Sequence, residues 1–321
     1  MPATRGGSTR PSAWPKVVRR SLAAVILCLI GSVSLFAAPP AAPHATGPGD
    51  VTVISNLRYR DGSKDCTLDL ALPKARADRA RPAVVVIHGG GWIEGDKSSF
   101  VSPRTPGNIL DFAAAGFVAA AVNYRLSREA PFPAGLYDCQ AAVRWLRTHA
   151  RDYHVDPNRI GAYGNSAGGH LALLLGLLDR SDDLEERDGP FPAESSRSQA
   201  VASDSGPLDL LVEHKNGTLI RVIERFMGGP PVGKRRTEYN RASPINHLDG
   251  KTPPLLLIYG EADNQIDVRT ADRFVSDLSH SGHKEISYFR LAGVGHCPHS
   301  LIRVPYLRPV VIEFFQRTLG R

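Results

Sequence analysis

The sequence predicts an α/β fold over residues 46–321: a mostly parallel central sheet flanked by helices, with a short lid-like insertion. Two observations predict it. Apolar, β-branched runs such as "PAVVVIHGGGW" stop abruptly at glycines, as strands buried on both faces do. Between such runs lie segments with apolar residues at helical spacing, for example "AGLYDCQAAVRWLRTHA" at 134–150. Strands alternating with helices form βα units with right-handed crossovers, and ligands sit at the carboxyl ends of the strands.

Taken in order, "VTVISNLRYR" and "CTLDLALP" read as two strands joined by a turn at Asp61-Gly62. The "PAVVVI" strand follows, then a helix near 107–115 and the strand "FVAAAVNYRL". After the helix at 134–150, "IGAYGNSAGGHLALLLGL" passes from strand to helix around Ser166. The strand "PPLLLIYGE", a helix near 269–281, the strand "EISYFRL" and a helix near 306–318 complete the alternation. Residues 180–200 are charged and contain prolines, which reads as a solvated loop. Residues 207–250 show one short helix, "TLIRVIERFMG", among polar connections. An excursion of that length out of a compact sheet reads as a lid or pocket wall, or as ornament.

Residues 1–45 have a different character. Five cations (Arg5, Arg10, Lys16, Arg19, Arg20) precede the apolar run 21–38 and a proline- and alanine-rich exit. A basic head, an apolar middle and a small-residue exit read as an export signal, so the body is expected to be secreted, periplasmic or at the cell surface. An uncleaved membrane tether through 21–38 is the alternative, because no clean A-x-A site follows and the run is near the short limit for a span. The leader carries five of the net seven positive charges, so the body is close to neutral. It has no basic run dense enough to imply nucleic acid. Cys66, Cys139 and Cys297 are odd in number and far apart, which is no disulfide framework.

Gly164-Asn165-Ser166-Ala167-Gly168 fits G-x-S-x-G between a strand and a helix. That context is a nucleophile elbow: small neighbours permit a tight turn that lifts the hydroxyl above the sheet, beside the free amides of a helix N-terminus. A neutral hydroxyl needs a base and a group that orients the base. Asp263 lies three residues past Gly260 at a strand's carboxyl end, and His296 lies in the loop after the last strand. Glu261 and Asp267 are rival acids, and His299 is the alternative base. "HGGGW" (88–92) ends a buried strand with three glycines, whose amides approach a substrate without Cβ obstruction. "HCPH" at 296–299 is short of metal ligands, with no second cluster elsewhere.

Together "HGGGW", "NYRLSREAPFPAGLYDCQAAVRWL", "GNSAGGHLA", "GPLDL", "YGEADNQID" and "GVGH" resemble the α/β-hydrolase fold. The resemblance is closest to its hormone-sensitive-lipase-like carboxylesterases and the related bacterial feruloyl and acetyl esterases. It implies Ser166 as nucleophile, Asp263 as acid and His296 as base. It implies an oxyanion hole from the amides of Gly89, Gly90 and Ala167, with Gly91 as the alternative to Gly89. Trp92, Asn165 and Pro207 are expected to line the substrate pocket. The chemistry calls for no metal or organic cofactor. The expected partner is a small-molecule or polysaccharide-fragment ester with a short-chain or carbohydrate-linked acyl group. Two positions depart from the pattern: Asp267 stands where relatives commonly carry Pro, and Cys297 directly follows His296. Rival functions are a lipase or peptidase on the same scaffold, or a non-catalytic binding protein with a hydrolase fold.

Overall fold

In a computed structural model, residues 50–301 and 304–320 are described. The expected leader at 1–45, with its tether at 21–38, lies outside these residues.

The sheet has eight strands: β1 (Val51–Arg58), β2 (Thr67–Pro73), β3 (Arg81–Ile87), β4 (Val118–Val122), β5 (Val155–Asn165), β6 (Val201–Asp204), β7 (Leu255–Gly260) and β8 (Ile286–Leu291). Their order is β1-β2-β4-β3-β5-β6-β7-β8. β1 with β2 and β2 with β4 pair antiparallel, and every other neighbour is parallel. The continuous apolar runs follow from this burial. In β3, Ala83, Val85 and Ile87 enter one core layer while Val84 and Val86 enter the other. Period-two alternation sends successive side chains to opposite faces, so a strand covered on both sides is apolar throughout.

Helices α1 (Ile109–Ala114) and α8 (Val310–Leu319) pack on one face through Ile109, Phe112, Val311 and Phe315. Helices α2 (Ala134–Thr148), α3 (Ala167–Leu177) and α7 (Val268–His280) cover the other. Full burial of one such aliphatic or aromatic side chain contributes about 1.5–3 kcal/mol, so the two layers dominate the stability of the sheet.

Three expectations are corrected. β6 is an eighth strand that the sequence pattern does not announce, because four residues, "VASD", are too few to show a period. The 180–200 segment is not a solvated loop: Leu184, Glu185 and Ser196 are buried, and Glu185 pairs with buried Arg144 at 2.6 Å. The 207–250 segment carries three α-helices, not one helix: α4 (Leu210–Asn216), α5 (Ile220–Met227) and α6 (Lys234–Ala242). α4 has its own punctuation, an Asp209 cap at one end and left-handed Gly217 at the other. α6 buries only Tyr239 and Ala242, so it has no apolar stripe to betray it.

Candidate active site

The elbow forms because β5 ends at Asn165 and α3 begins at Ala167, leaving Ser166 alone in the turn at φ 50°, ψ −121°. A left-handed non-glycine residue costs on the order of 1–3 kcal/mol and persists only where its surroundings impose it. Here the Ser166 amide donates to the Asp204 carbonyl at 2.8 Å, and its carbonyl accepts from His170 N–H at 3.0 Å. The flanking glycines are steric necessities: a Cβ on Gly164 would overlap the Gly168 backbone, and one on Gly168 would overlap the Ile87 carbonyl. The Ser166 side chain makes no capping bond to α3, so its hydroxyl is free for other work.

That hydroxyl lies 2.9 Å from His296 Nε2, and His296 Nδ1 lies 2.6 Å from Asp263 Oδ2. Asp263 Oδ1 accepts the amides of Gln265 and Ile266 at 2.8 and 3.0 Å, which fixes the carboxylate in its turn after β7. An ionised carboxylate only accepts, so the imidazole proton belongs on Nδ1 and the Nε2 lone pair faces the serine. Ser166, Asp263 and His296 therefore stand together, from the carboxyl ends of β5, β7 and β8.

The rival groups are engaged elsewhere. Glu261 pairs with Arg290, and Asp267 caps α7 through the Arg269 amide at 3.0 Å. His299 is buried with Nδ1 2.8 Å from the Tyr163 hydroxyl, and burial lowers its pKa. Cys297 is buried too, and burial pushes its thiol well above the usual range, so it is not a reactive thiolate. His88 stacks on Tyr124 with ring centroids 4.5 Å apart, and its Nδ1 holds the Gly89 carbonyl at 2.8 Å. It organises the glycine loop.

The oxyanion expectation needs one correction. The Gly89 amide donates to Asn165 Oδ1 at 2.9 Å and is spent there. Among the described residues, the amides of Gly90, Gly91 and Ala167 have no acceptor. The pair implied by the glycine run is therefore Gly90 and Gly91, beside Ala167. The pocket expectation for Trp92 is corrected as well. Trp92 is 2% exposed, stacked on Phe226 at 4.2 Å, and is core rather than open wall. Asn165 spends its side chain on Gly89 and on Ser300 Oγ at 3.2 Å. Pro207 is buried in the β6–α4 connection.

Two positioning groups were missing from the sequence reading. Asp204, 0% exposed, accepts the Ser300 amide at 2.8 Å and the His299 amide at 3.4 Å, while its carbonyl holds Ser166 N–H. One residue thus ties the serine turn to the histidine loop. Ser300 and Asn165 extend the tie to the glycine loop. An acid closing a buried strand, as in "VASD", is the signal that could have found it. Asp204→Asn is expected to lower kcat by about 10–100-fold with KM nearly unchanged, since displacing a reacting group by about 1 Å costs about that much. Steady-state kinetics separate the two constants.

The second is Glu213 on α4. It is buried, takes the Asp267 amide at 3.2 Å and sits 3.3 Å from Thr270 Oγ1. Burial, with the negative charges of Asp267 and Asp263, raises its pKa to about 8. The folded state therefore holds a proton that the unfolded chain releases near pH 4.5. Stability from this group is complete below that pH and falls as pH rises toward 8, by about 1.4 kcal/mol per unit at most. Glu213→Gln should raise the melting temperature at pH 8 and leave it nearly unchanged at pH 4.5; thermal melts at the two pH values check this.

The fold and this cluster define an α/β-hydrolase. The chain belongs to the BD-FAE family, whose model matches residues 68–278. It is 26% identical over 258 residues to Esterase LipQ of Mycobacterium tuberculosis, covering 79% of this chain and 60% of that protein. It is 27% identical over 234 residues to the probable carboxylic ester hydrolase LipM of the same organism, covering 70% and 53%. The chain thus spans between half and two-thirds of the length of these relatives. Among solved structures it resembles a truncated carbohydrate esterase from gut microbiota, with TM-score 0.70, 26% identity and coverage of 84% and 97%. It also resembles Thermogutta terrifontis esterase 2 phosphorylated by paraoxon, with TM-score 0.66, 25% identity and coverage of 87% and 96%.

Proposed function

We propose that the protein is an exported serine carboxylesterase that hydrolyses short-chain or carbohydrate-linked acyl esters through an acyl-enzyme on Ser166. The observation that carries the reading is the unbroken relay from Asp263 Oδ2 through His296 to Ser166 Oγ, with steps of 2.6 and 2.9 Å. His296 removes the hydroxyl proton as Ser166 Oγ attacks the ester carbonyl, and Asp263 stabilises the imidazolium. The amides of Gly90, Gly91 and Ala167 receive the oxyanion; each such donor is worth about 3–4 kcal/mol in the transition state. The imidazolium returns its proton to the departing alcohol. Water then attacks the acyl-enzyme by the same route, releasing the carboxylic acid and the free serine.

Small acyl groups fit the surroundings of the glycine loop. A Cβ at Gly91 would meet Val222 at 2.8 Å, and Phe226 covers Trp92, so α5 already fills the space beside the loop. The carbohydrate esterase among the similar structures supports a saccharide ester, and the paraoxon adduct of the Thermogutta enzyme supports a serine nucleophile. Export rests on residues 1–45, with an uncleaved anchor at 21–38 as the alternative; fractionation of cells expressing the full chain decides between them.

The test is hydrolysis of 4-nitrophenyl acetate, butyrate and octanoate and of acetylated and feruloylated saccharides. Paraoxon treatment followed by mass mapping accompanies it. Activity falling from acetate to octanoate, with one diethylphosphoryl group on the Ser166 peptide, is expected. Absence of turnover and of the adduct overturns the reading.

A further inference from the structure

We propose that the α4–α6 cap selects esters that carry a negative charge, such as acyl groups on uronate-bearing saccharides. This rests on the esterase reading and names the substrate class of that site. Residues 215–241 hold seven cations and two acids, although the whole body of the chain is nearly neutral. Both acids are taken: Glu224 by His214 at 3.0 Å, and Glu238 by Arg241 at 2.6 Å. Lys215, Arg221, Arg225, Lys234, Arg235 and Arg236 have no ionic partner among the described residues. All of these but the half-buried Arg235 are exposed.

The placement of four of them, Arg221, Lys234, Arg235 and Arg236, opposes local stability. Cations weaken a helix when they sit in its first turn, where the macrodipole favours acids. Yet α6 opens with Lys234-Arg235-Arg236, α5 opens with Ile220-Arg221, and neither helix has a side-chain cap or a first-turn acid. Local rules broken without structural gain mark functional positions. The cations concentrate positive charge on the cap.

The helices that carry these cations adjoin the reaction. α5 seats Val222 on Gly91 and Phe226 on Trp92, next to the free amides. α4 is tied to the loop of Asp263: Glu213 accepts the Asp267 amide, and Asn216 Nδ2 donates to Asp267 Oδ2 at 3.3 Å. Lys215 lines a hollow of about 330 Å³ that also meets Asp267 and Thr270. The two nearby acids are neutralised, Asp267 by Arg269 and Asp209 by Arg273. A dense field of one sign at a cleft raises the local concentration of oppositely charged ligand, and salt weakens it.

The favoured anion is a soluble one. An interfacial helix needs a free apolar face, but α5 buries Ile223, Phe226 and Met227 inward. Val232 is the single large hydrophobic residue exposed on the cap. Stacking on nucleic-acid bases needs exposed aromatic rings, and Tyr239 and Phe226 are buried.

Binding to the full-length Ser166→Ala variant tests this without turnover. Titrations use a mono-O-acetylated methyl glucoside and the matching methyl glucosiduronate at low and high salt. The uronate is expected to bind about tenfold tighter at low salt, with the gap closing at high salt. Arg221→Gln, Arg225→Gln, Lys234→Gln and Arg236→Gln combined should bring the affinity ratio toward one. Their melting temperature should hold, because the loss of last-turn Arg225 is offset by removing the three first-turn cations Arg221, Lys234 and Arg236. Equal affinity for the two sugars at low salt overturns the proposal. So does co-sedimentation with phosphatidylglycerol vesicles without discrimination between the sugars. Uronate preference together with no hydrolysis by the wild-type chain upholds the charge selection and rejects the esterase reading.

Discussion

Replacing Ser166 with Ala should lower kcat/KM for 4-nitrophenyl acetate by about 10⁴-fold or more and move the melting temperature little. The kinetic loss is large because the hydroxyl is the only group at the elbow that can form the covalent intermediate. Its proton acceptor, His296 Nε2, stands 2.9 Å away. Removing a serine nucleophile elsewhere costs up to about 10⁶ in kcat, the residue being carried by the oxyanion donors and binding. The stability change is small because one half-buried hydrogen bond is lost, worth about 1 kcal/mol. The turn itself is held by the backbone, through Asp204 and His170, and Ala leaves those bonds in place. Matched kinetics and melts check both halves. Retention of more than about one-hundredth of the activity would remove Ser166 from the chemistry.

Gly168→Ala should abolish activity and destabilise the whole domain. The added methyl would meet the Ile87 and His88 carbonyl oxygens, which belong to β3 and the glycine loop. Both are backbone atoms, and Ile87 ends a strand paired on two sides, so neither a rotamer change nor a side-chain shift relieves the overlap. The loss exceeds the usual 1–3 kcal/mol for overpacking by a methyl, because that range assumes neighbours that give way. Circular dichroism and denaturant melts measure it. A folded and active Gly168→Ala enzyme would mean that α3 can lift away from β3. Gly62→Ala is the contrast: its φ of 91° disfavours a side chain, whereas Gly168 is helical, but nothing lies within 4 Å of the new carbon. It loses only local conformational comfort.

Much of this arrangement was legible because the sheet writes long signals. "PAVVVI", "FVAAAV" and "PPLLLIYG" are buried on both faces, and their ends mark where loops carry side chains to one edge. Its offset from Gly260 put Asp263 at a strand's carboxyl end, and the family resemblance chose it over Glu261 and Asp267. What stayed hidden depends on partners far away in the chain. Nothing near Asn165 says that its amide group will consume the Gly89 N–H, 76 residues distant. Trp92, next to the glycines, reads as a pocket wall until Phe226 is found lying flat on it. α4 and α6 escaped because short helices with polar faces have almost no periodicity. The role of Asp204 escaped because β6 itself is only four residues long.

The cap is fastened at three separate places. Phe226 lies on Trp92, Glu213 and Asn216 hold Asp267, and the Ala242 carbonyl takes His170 Nε2 at 2.7 Å. Burial lowers the His170 pKa to about 4, so that last fastening persists uncharged through the neutral range. A segment pinned along its length behaves as masonry rather than as a door. Ligand choice in this protein would then be rewritten by exchanging the side chains that face the entrance, and not by loosening a hinge.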